Sequence, residues 1–535
     1  MTSNPAGPVV APLAAPFAAP HRSAAADAGS RFWRTVWRTH FYAGILTFPF
    51  LGVLAITGLI ILYTQPINRL SYGSLLRAPR SVRVTTLEQQ RTLVERSYPD
   101  LVVAGVTPAP PTSDRSTMFA MKPSEGDGAV RQVFIEPGTG RVLGSKGEGD
   151  GIVGLANRLH GSLNNTAITV SLPSLAGLAG SGGAMIVHVA LGAVLMEIFA
   201  GWALVLAASG LYLYWPRKKG LPRTTLVPRI AKQGRARWRD LHAIPGLVLA
   251  GILAFFVVTG LPWSGYWGSG WRQISSKVTP RPAIEQPPSA VVRSGDLDRF
   301  GNRIPWSTQD TPVPASNTPV PQQLPSGHND NIAHEHAVSA GGAGSANTLS
   351  LDAVATIAAA EQLTPGYSIA LPVDTPAKAG TAAVFGSFTI TEPWPGRVQH
   401  EHTVYVDQFS GKTLGVATPG NWGQGALGSA TEWGVQTHMG TQFGLINRVV
   451  MTFGCLALLW SVASALVMYT RRRRPGSIGA PRRPVDVKLA KRLMVILATL
   501  GIIYPLWGAS VVAVLALDRF IVRRRPRLRR AFGMH

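Results

Sequence analysis

The chain has 535 residues, with 51 Lys and Arg against 27 Asp and Glu, for a formal charge of +24. So basic a chain invites a nucleic-acid reading, yet only 15% of its residues are charged and its mean hydropathy is +0.15, which points to lipid. A single cysteine excludes a disulfide framework, a CxxC redox pair and Cys-ligated zinc or iron–sulfur centres.

In chain order, residues 1–30 are rich in Ala and Pro and lack the basic-then-apolar order of a cleaved signal, so a disordered segment is expected ahead of an uncleaved anchor. Residues 31–64 hold the first span, residues 65–184 a first large segment outside the bilayer, and residues 185–216 a second span whose one charged residue before its end is Glu197. A basic loop (217–240) and a third span (241–264) follow. Residues 265–348 are rich in Pro, Ser, Asn and Gly without sustained periodicity and read mostly as a low-complexity linker. Residues 349–444 read as a second outside domain and 445–470 as a fourth span. A basic loop (471–492), a fifth apolar segment (493–517) and a basic tail (518–535) complete the chain. At about 1.5 Å per residue, each apolar stretch reaches the roughly 30 Å of a hydrocarbon core.

Residues 216–240 and 471–492 each carry nine basic residues, which places both loops, and with them the N-terminus, in the cytoplasm. The two long segments then face outward. The fifth segment conflicts with this rule, because Arg519, Arg523, Arg524, Arg525, Arg527, Arg529 and Arg530 follow it. A simple span puts them outside, whereas Tyr504-Pro505 and Gly508 permit a broken, re-entrant hairpin. Residues 1–40, 216–240, 471–492 and 518–535 hold 29 of the 51 basic residues, so the charge is a topology signal whose expected partner is anionic lipid.

The two halves align. His40-x3-Gly44 followed by Thr57-Gly58-Leu59 matches His242-x3-Gly246 followed by Thr259-Gly260-Leu261, and Ser209…Tyr214 matches Ser464…Tyr469. Outside the spans, Val133–Gly140 and Val404–Gly411 share a strand running into an acidic residue and a glycine turn, preceded by short amphipathic helices at Leu87–Tyr98 and Leu351–Leu363. These motifs, with Leu159-His160-Gly-Ser-Leu163, resemble the PepSY-associated transmembrane proteins, which include iron-regulated inner-membrane proteins and ferric-siderophore reductases. The resemblance covers roughly residues 30–515 apart from the low-complexity insert. It implies an α-helical membrane bundle, four spans plus a fifth spanning or re-entrant segment, with two small α+β PepSY-like periplasmic domains arising by internal duplication. It also implies a haem-bearing inner-membrane reductase facing the periplasm.

Among 12 histidines, His40 and His242 sit at equivalent cytoplasmic ends of spans one and three, and His160 and His438 precede spans two and four from outside. A b-type haem needs two axial imidazoles held on opposite sides by rigid helices, so two haems b are expected, at His40/His242 and His160/His438. His188, read within the first turn or so of span two, is a substitute for His160 or a further ligand. Glu197 reads either as a proton carrier or haem-environment residue, or as a protonated or paired carboxylate of the bundle interior. Two His-Glu-His motifs offer weak metal candidates, His334 with His336 and His400 with His402, because i and i+2 share one face of a strand.

The expected activity is reduction of a ferric siderophore or other periplasmic electron acceptor. The short cytoplasmic segments carry no flavin or dinucleotide motif, so the donor is a cytoplasmic protein or a quinol. Two other readings stay open: a non-enzymatic module that binds or regulates a periplasmic protein, and metal transport. Catalytic residues are not identifiable at this level.

Overall fold

The computed structural model describes residues 24–126, 128–178, 185–215, 234–278, 288–300, 304–309, 311–317, 348–377, 382–419, 425–473, 479, 491–532 and 534. Helix α1 (Ala24–Leu62) leads through two short helices to α2 (Leu87–Ser97) and strands β1 (Leu101–Thr107), β2 (Thr117–Pro123), β3 (Arg131–Ile135) and β4 (Val142–Gly147). Helix α3 (Gly151–Ser162) and the hairpin β5 (Thr169–Pro173) and β6 (Ile186–Ala190) bring the chain to α4 (Leu191–Tyr214). After α5 (Arg235–Gly260) come α6 (Trp267–Val278), β7 (Pro288–Arg293), β8 (Pro312–Pro314), α7 (Leu351–Ala360), β9 (Ser368–Ala370), β10 (Ser387–Thr391), β11 (Thr403–Asp407) and β12 (Thr413–Ala417). Helices α8 (Gly425–His438), α9 (Gly444–Arg472), α10 (Lys491–Ile503) and α11 (Pro505–Leu517) follow.

Five helical stretches are long and apolar enough to cross a membrane: Arg31–Leu62, Leu191–Tyr214, Ala236–Trp263, Gly444–Arg472 and Pro505–Val522. Helices α1, α4, α5 and α9 pack in that cyclic order. Their shared core mixes large and small side chains (Leu51, Ala55, Ala203, Ala207, Leu249, Ala250, Leu253, Cys455, Leu458), and the small ones let the helix backbones approach closely.

One end of this bundle is basic. Arg472 lies over the Trp37 ring, 4.4 Å from its centre, and Arg471 lies 5.7 Å from that of Trp238. The C-terminal tail returns to the same end, where Phe532 O accepts from Arg38 Nη2 at 3.0 Å and from Tyr42 Oη at 3.3 Å. The fifth apolar segment is broken at Tyr504-Pro505 into α10 and α11. A Cβ on Gly508 would sit 2.7 Å from Gly501 O, whereas residues seven apart in one straight helix lie about 10 Å apart, so the chain turns back sharply. The break is the feature that Tyr504-Pro505 allowed, and it reconciles the basic tail with the basic end.

At the opposite end stands one eight-stranded sheet of order β12-β11-β10-β9-β1-β2-β3-β4. Its two four-stranded halves join through the antiparallel pairing of β1 with β9, where Gly105 faces Ala370 and Val106 faces Ile369. Helices α2 and α7 cover one face, where their Val94 and Val354 pack with Val106, Phe119, Val133, Ile369, Ile390 and Val404 of the strands. Their N-termini cap each other: Asp352 accepts from Leu87 N and Glu88 N at 2.8 and 3.1 Å, and Glu88 accepts from Leu351 N at 3.1 Å. A carboxylate at a helix N-terminus satisfies N–H groups that have no partner within the helix.

The structure departs from the sequence reading in several places: α1 already begins at Ala24, within the segment 1–30 read as disordered, and α5 at Arg235, within the basic loop read over 217–240. Residues 186–190, counted with span two on hydropathy, form β6 and pair with β5, so the helix starts at Leu191. Parts of the segment 265–348 are folded. Trp306 is fully buried, and Leu297, Ile304 and Val313 pack on Tyr405, Ala370 and Ala417 on the second face of the sheet. With both faces covered, all five residues of β11 are buried. Short 3-10 turns and three-residue strands leave no periodicity for a sequence reader to find.

Candidate functional site

The bundle and the elements at its ends bring four histidines together as two pairs. At the basic end, His40 on α1 faces His242 on α5, with ring centres 6.5 Å apart and planes at 71°. At the sheet end, His160 on α3 faces His438 on α8, with ring centres 6.4 Å apart and planes at 84°. Two metal–nitrogen bonds of about 2 Å, plus about 1.1 Å from each nitrogen to its ring centre, separate opposed ring centres by about 6.2 Å. Both pairs match the spacing of two imidazoles on one metal ion. The spacing of 17 positions from His40 to Thr57, and from His242 to Thr259, corresponds to a rise of about 25 Å, so the pairs sit at opposite ends of the bundle.

Close packing places the rings. A Cβ on Gly192, in the first turn of α4, would lie 1.7 Å from Ser162 O, so only glycine lets the end of α3 dock there and deliver His160. The same atom added to Gly58 would lie 3.5 Å from His160 Cε1, to Gly260 3.5 Å from His438 Cε1, and to Gly210 3.2 Å from His40 Cε1. The glycine of each Thr-Gly-Leu motif is thus where an imidazole lies against a spanning helix.

Every ring is anchored through Nδ1 on a hydroxyl. His160 Nδ1 lies 2.9 Å from Thr57 Oγ1, His438 Nδ1 2.9 Å from Thr259 Oγ1, and His40 Nδ1 2.9 Å from Ser209 Oγ. His242 Nδ1 lies 3.2 Å from both Ser464 Oγ and Ser461 O. Among the described residues no hydrogen bond reaches Nε2 of any of the four. Helix atoms around His160 and His438 desolvate both rings and push their pKa values down to about 4 and about 3, the charge of His160 adding to the effect at His438. Both are therefore neutral at pH 7, the form that binds a metal. The donor set of each pair fits haem, which His40 with His242 and His160 with His438 would hold.

His188 joins neither pair. It is exposed on β6, and its Nδ1 lies 3.0 Å from Ser171 Oγ. Glu197 is 1% exposed, and its Oε1 accepts from Tyr266 N at 2.7 Å and Trp267 N at 3.0 Å. It accepts from backbone N–H groups at the start of α6, a structural task that matches the paired-carboxylate reading.

Of the His-Glu-His motifs, His334 and His336 lie outside the described residues. In the second, His400 is exposed, and His402 Nδ1 sits 3.7 Å from a Glu392 oxygen. No group of three or more His, Cys, Asp or Glu able to hold a metal ion occurs among the described residues. The central Glu401 of this motif is the buried member. Gln436 Nε2 donates to Glu401 Oε1 at 2.6 Å and to Glu432 Oε1 at 3.0 Å, bridging two carboxyl groups beneath the helix that bears His438. Burial first, and then the neighbouring Glu432, push the Glu401 pKa up to about 9, and burial raises that of Glu432. The sequence gives one trace of this cluster, Glu432 and Gln436 four apart on one face of α8.

A family model described as the PepSY-associated TM region matches residues 37–472. No curated protein matches the chain.

Proposed function

The chain belongs to the PepSY-associated TM family, as a multi-pass membrane protein, and from that premise we propose that it is a haem-b-bearing reductase of the bacterial inner membrane. Its acceptor is a periplasmic ferric siderophore or similar ferric chelate, in iron uptake. The observation that carries the reading is the presence of two facing imidazole pairs, 6.5 and 6.4 Å between ring centres, at opposite ends of one bundle. A bound haem supplies one-electron chemistry at each pair. The protein's own part is to hold two neutral imidazoles per site, to exclude water between the sites with the apolar faces of α1, α4, α5 and α9, and to present the sheet domain beside the outer pair as the surface that receives the acceptor.

The basic end supports a cytoplasmic placement of His40 and His242, with a protein or quinol donor on that side. The two sheet halves read as PepSY-like units from a duplication. In support, each has one helix followed by four strands, and Glu88 and Asp352 play reciprocal parts. Fe(II) suits hard oxygen chelators poorly, so reduction frees the metal from a hydroxamate or catecholate.

The acceptor is tested with full-length protein in lipid nanodiscs, reduced with dithionite and freed of excess reductant. Adding a ferric hydroxamate is expected to re-oxidise the protein and yield an equivalent amount of Fe(II), captured by a colorimetric chelator. A protein that stays reduced, with no Fe(II) formed, removes the ferric-chelate reading.

A further inference from the structure

We infer that Thr57, Thr259, Ser209 and Ser464 are positioning residues that fix each histidine in its Nδ1–H tautomer and leave Nε2 as the ligating nitrogen; the inference rests on the haem reading above. A hydroxyl has one proton to give. Each of these four gives it to a carbonyl of its own helix: Thr57 to Val53 O at 2.8 Å, Thr259 to Phe255 O at 2.7 Å, Ser209 to Val205 O at 2.5 Å and Ser464 to Ser461 O at 3.0 Å. The oxygen is left as an acceptor, so the imidazole nitrogen facing it must carry a proton. At His242 a carbonyl leads to the same conclusion, because Ser461 O, 3.2 Å from Nδ1, only accepts. With Nδ1 protonated and the ring neutral, Nε2 presents its lone pair, and the Nδ1–H···O bond makes that nitrogen a better donor to a metal.

The arrangement is crossed between the two ends. Helix α1 gives the ligand His40 to one site and the hydroxyl of Thr57 to the other, and α5 does the same with His242 and Thr259. Helices α4 and α9 return the favour with Ser209 and Ser464 at the basic end. Each of the four helices α1, α4, α5 and α9 thereby touches a site through a ligand, the residue that orients one, or both. The effect of losing a hydroxyl is confined to its own end, even though a ligand for the other end sits on the same helix.

The test uses the full-length protein with Thr57→Val and Thr259→Val, which keep the side-chain shape, and Thr57→Ser, which keeps the hydroxyl. Haem stoichiometry, the low-spin electron paramagnetic resonance signals and the midpoint potential of each site are read. The valine variants are expected to bind haem at the His160/His438 site about 10–100-fold more weakly and to raise its midpoint potential, because a less basic imidazole stabilises ferric iron less. The His40/His242 site stays unchanged, and Thr57→Ser behaves as wild type. Wild-type affinity and signals in both valine variants overturn the inference. Where those variants fail to accumulate, Ser209→Ala poses the same question at His40, and unchanged signals there overturn it equally. A wild-type protein without haem refutes the haem reading itself, an outcome distinct from a haem-loaded protein indifferent to its hydroxyls.

Discussion

His160 and His438 face each other with ring centres 6.4 Å apart, each held through Nδ1 by the threonine of a Thr-Gly-Leu motif on a different spanning helix. His188, the substitute ligand suggested by the sequence, stands apart on β6 with Ser171. His188→Ala is therefore expected to retain the haem content and spectrum of the wild type. Loss of one haem in that variant would return His188 to the ligand set.

The glycines beside the rings rank the tolerance of the two ends. An added Cβ meets His40 Cε1 at 3.2 Å from Gly210 but meets His160 and His438 at an ordinary 3.5 Å from Gly58 and Gly260. Gly210→Ala should thus weaken haem retention at the basic end more than Gly58→Ala or Gly260→Ala does at the sheet end. The comparison is made by haem content after detergent washing, and the reverse order contradicts the packing argument.

Glu197 separates a structural from a proton-carrying role. Glu197→Gln keeps an oxygen for Tyr266 N and Trp267 N, whereas Glu197→Ala strands both and should cost about 1 kcal/mol of stability, as for a lost helix cap. Electron transfer at constant folded fraction is expected to survive both changes. A rate collapse in the folded glutamine variant would assign Glu197 to proton movement.

The buried pair Glu401 and Glu432 sets a pH dependence. Glu401 is raised from 4.5 to about 9, so across that window the folded protein holds a proton that the unfolded chain releases. Stability contributed by this group is present below 4.5 and falls as pH rises through the window. The melting temperature should decline between pH 6 and pH 8.5, with a shallower slope in Glu401→Gln. An equal slope in that variant speaks against the assignment.

The spans, the basic end and both histidine pairs are legible in the sequence because each rests on a linear signal: apolar length, loop charge, or the repeat of His, Thr and Ser at fixed spacing. The repeated Thr57, Thr259, Ser209 and Ser464 stand out as markers, but their partners lie up to 222 residues away along the chain, so what they hold needs the fold. Hydropathy merges Ile186–Ala190 with the following helix, since a β-branched strand and a membrane helix are equally apolar; only the alternation of exposed His188 and buried Val189 tells them apart. Trp306 and Ile304 were hidden among Pro, Ser and Asn, where isolated apolar residues give no period although each is buried.

Each histidine pair is proposed to hold a haem. The most direct test is the reduced-minus-oxidised absorption spectrum, with haem-to-protein ratio, of full-length protein purified from haem-replete cells, beside His438→Ala and His242→Ala. A b-type spectrum, two haems per chain, and loss of one site in each variant with the other retained are expected. A colourless wild-type protein, or variants with undiminished haem, would contradict the proposal.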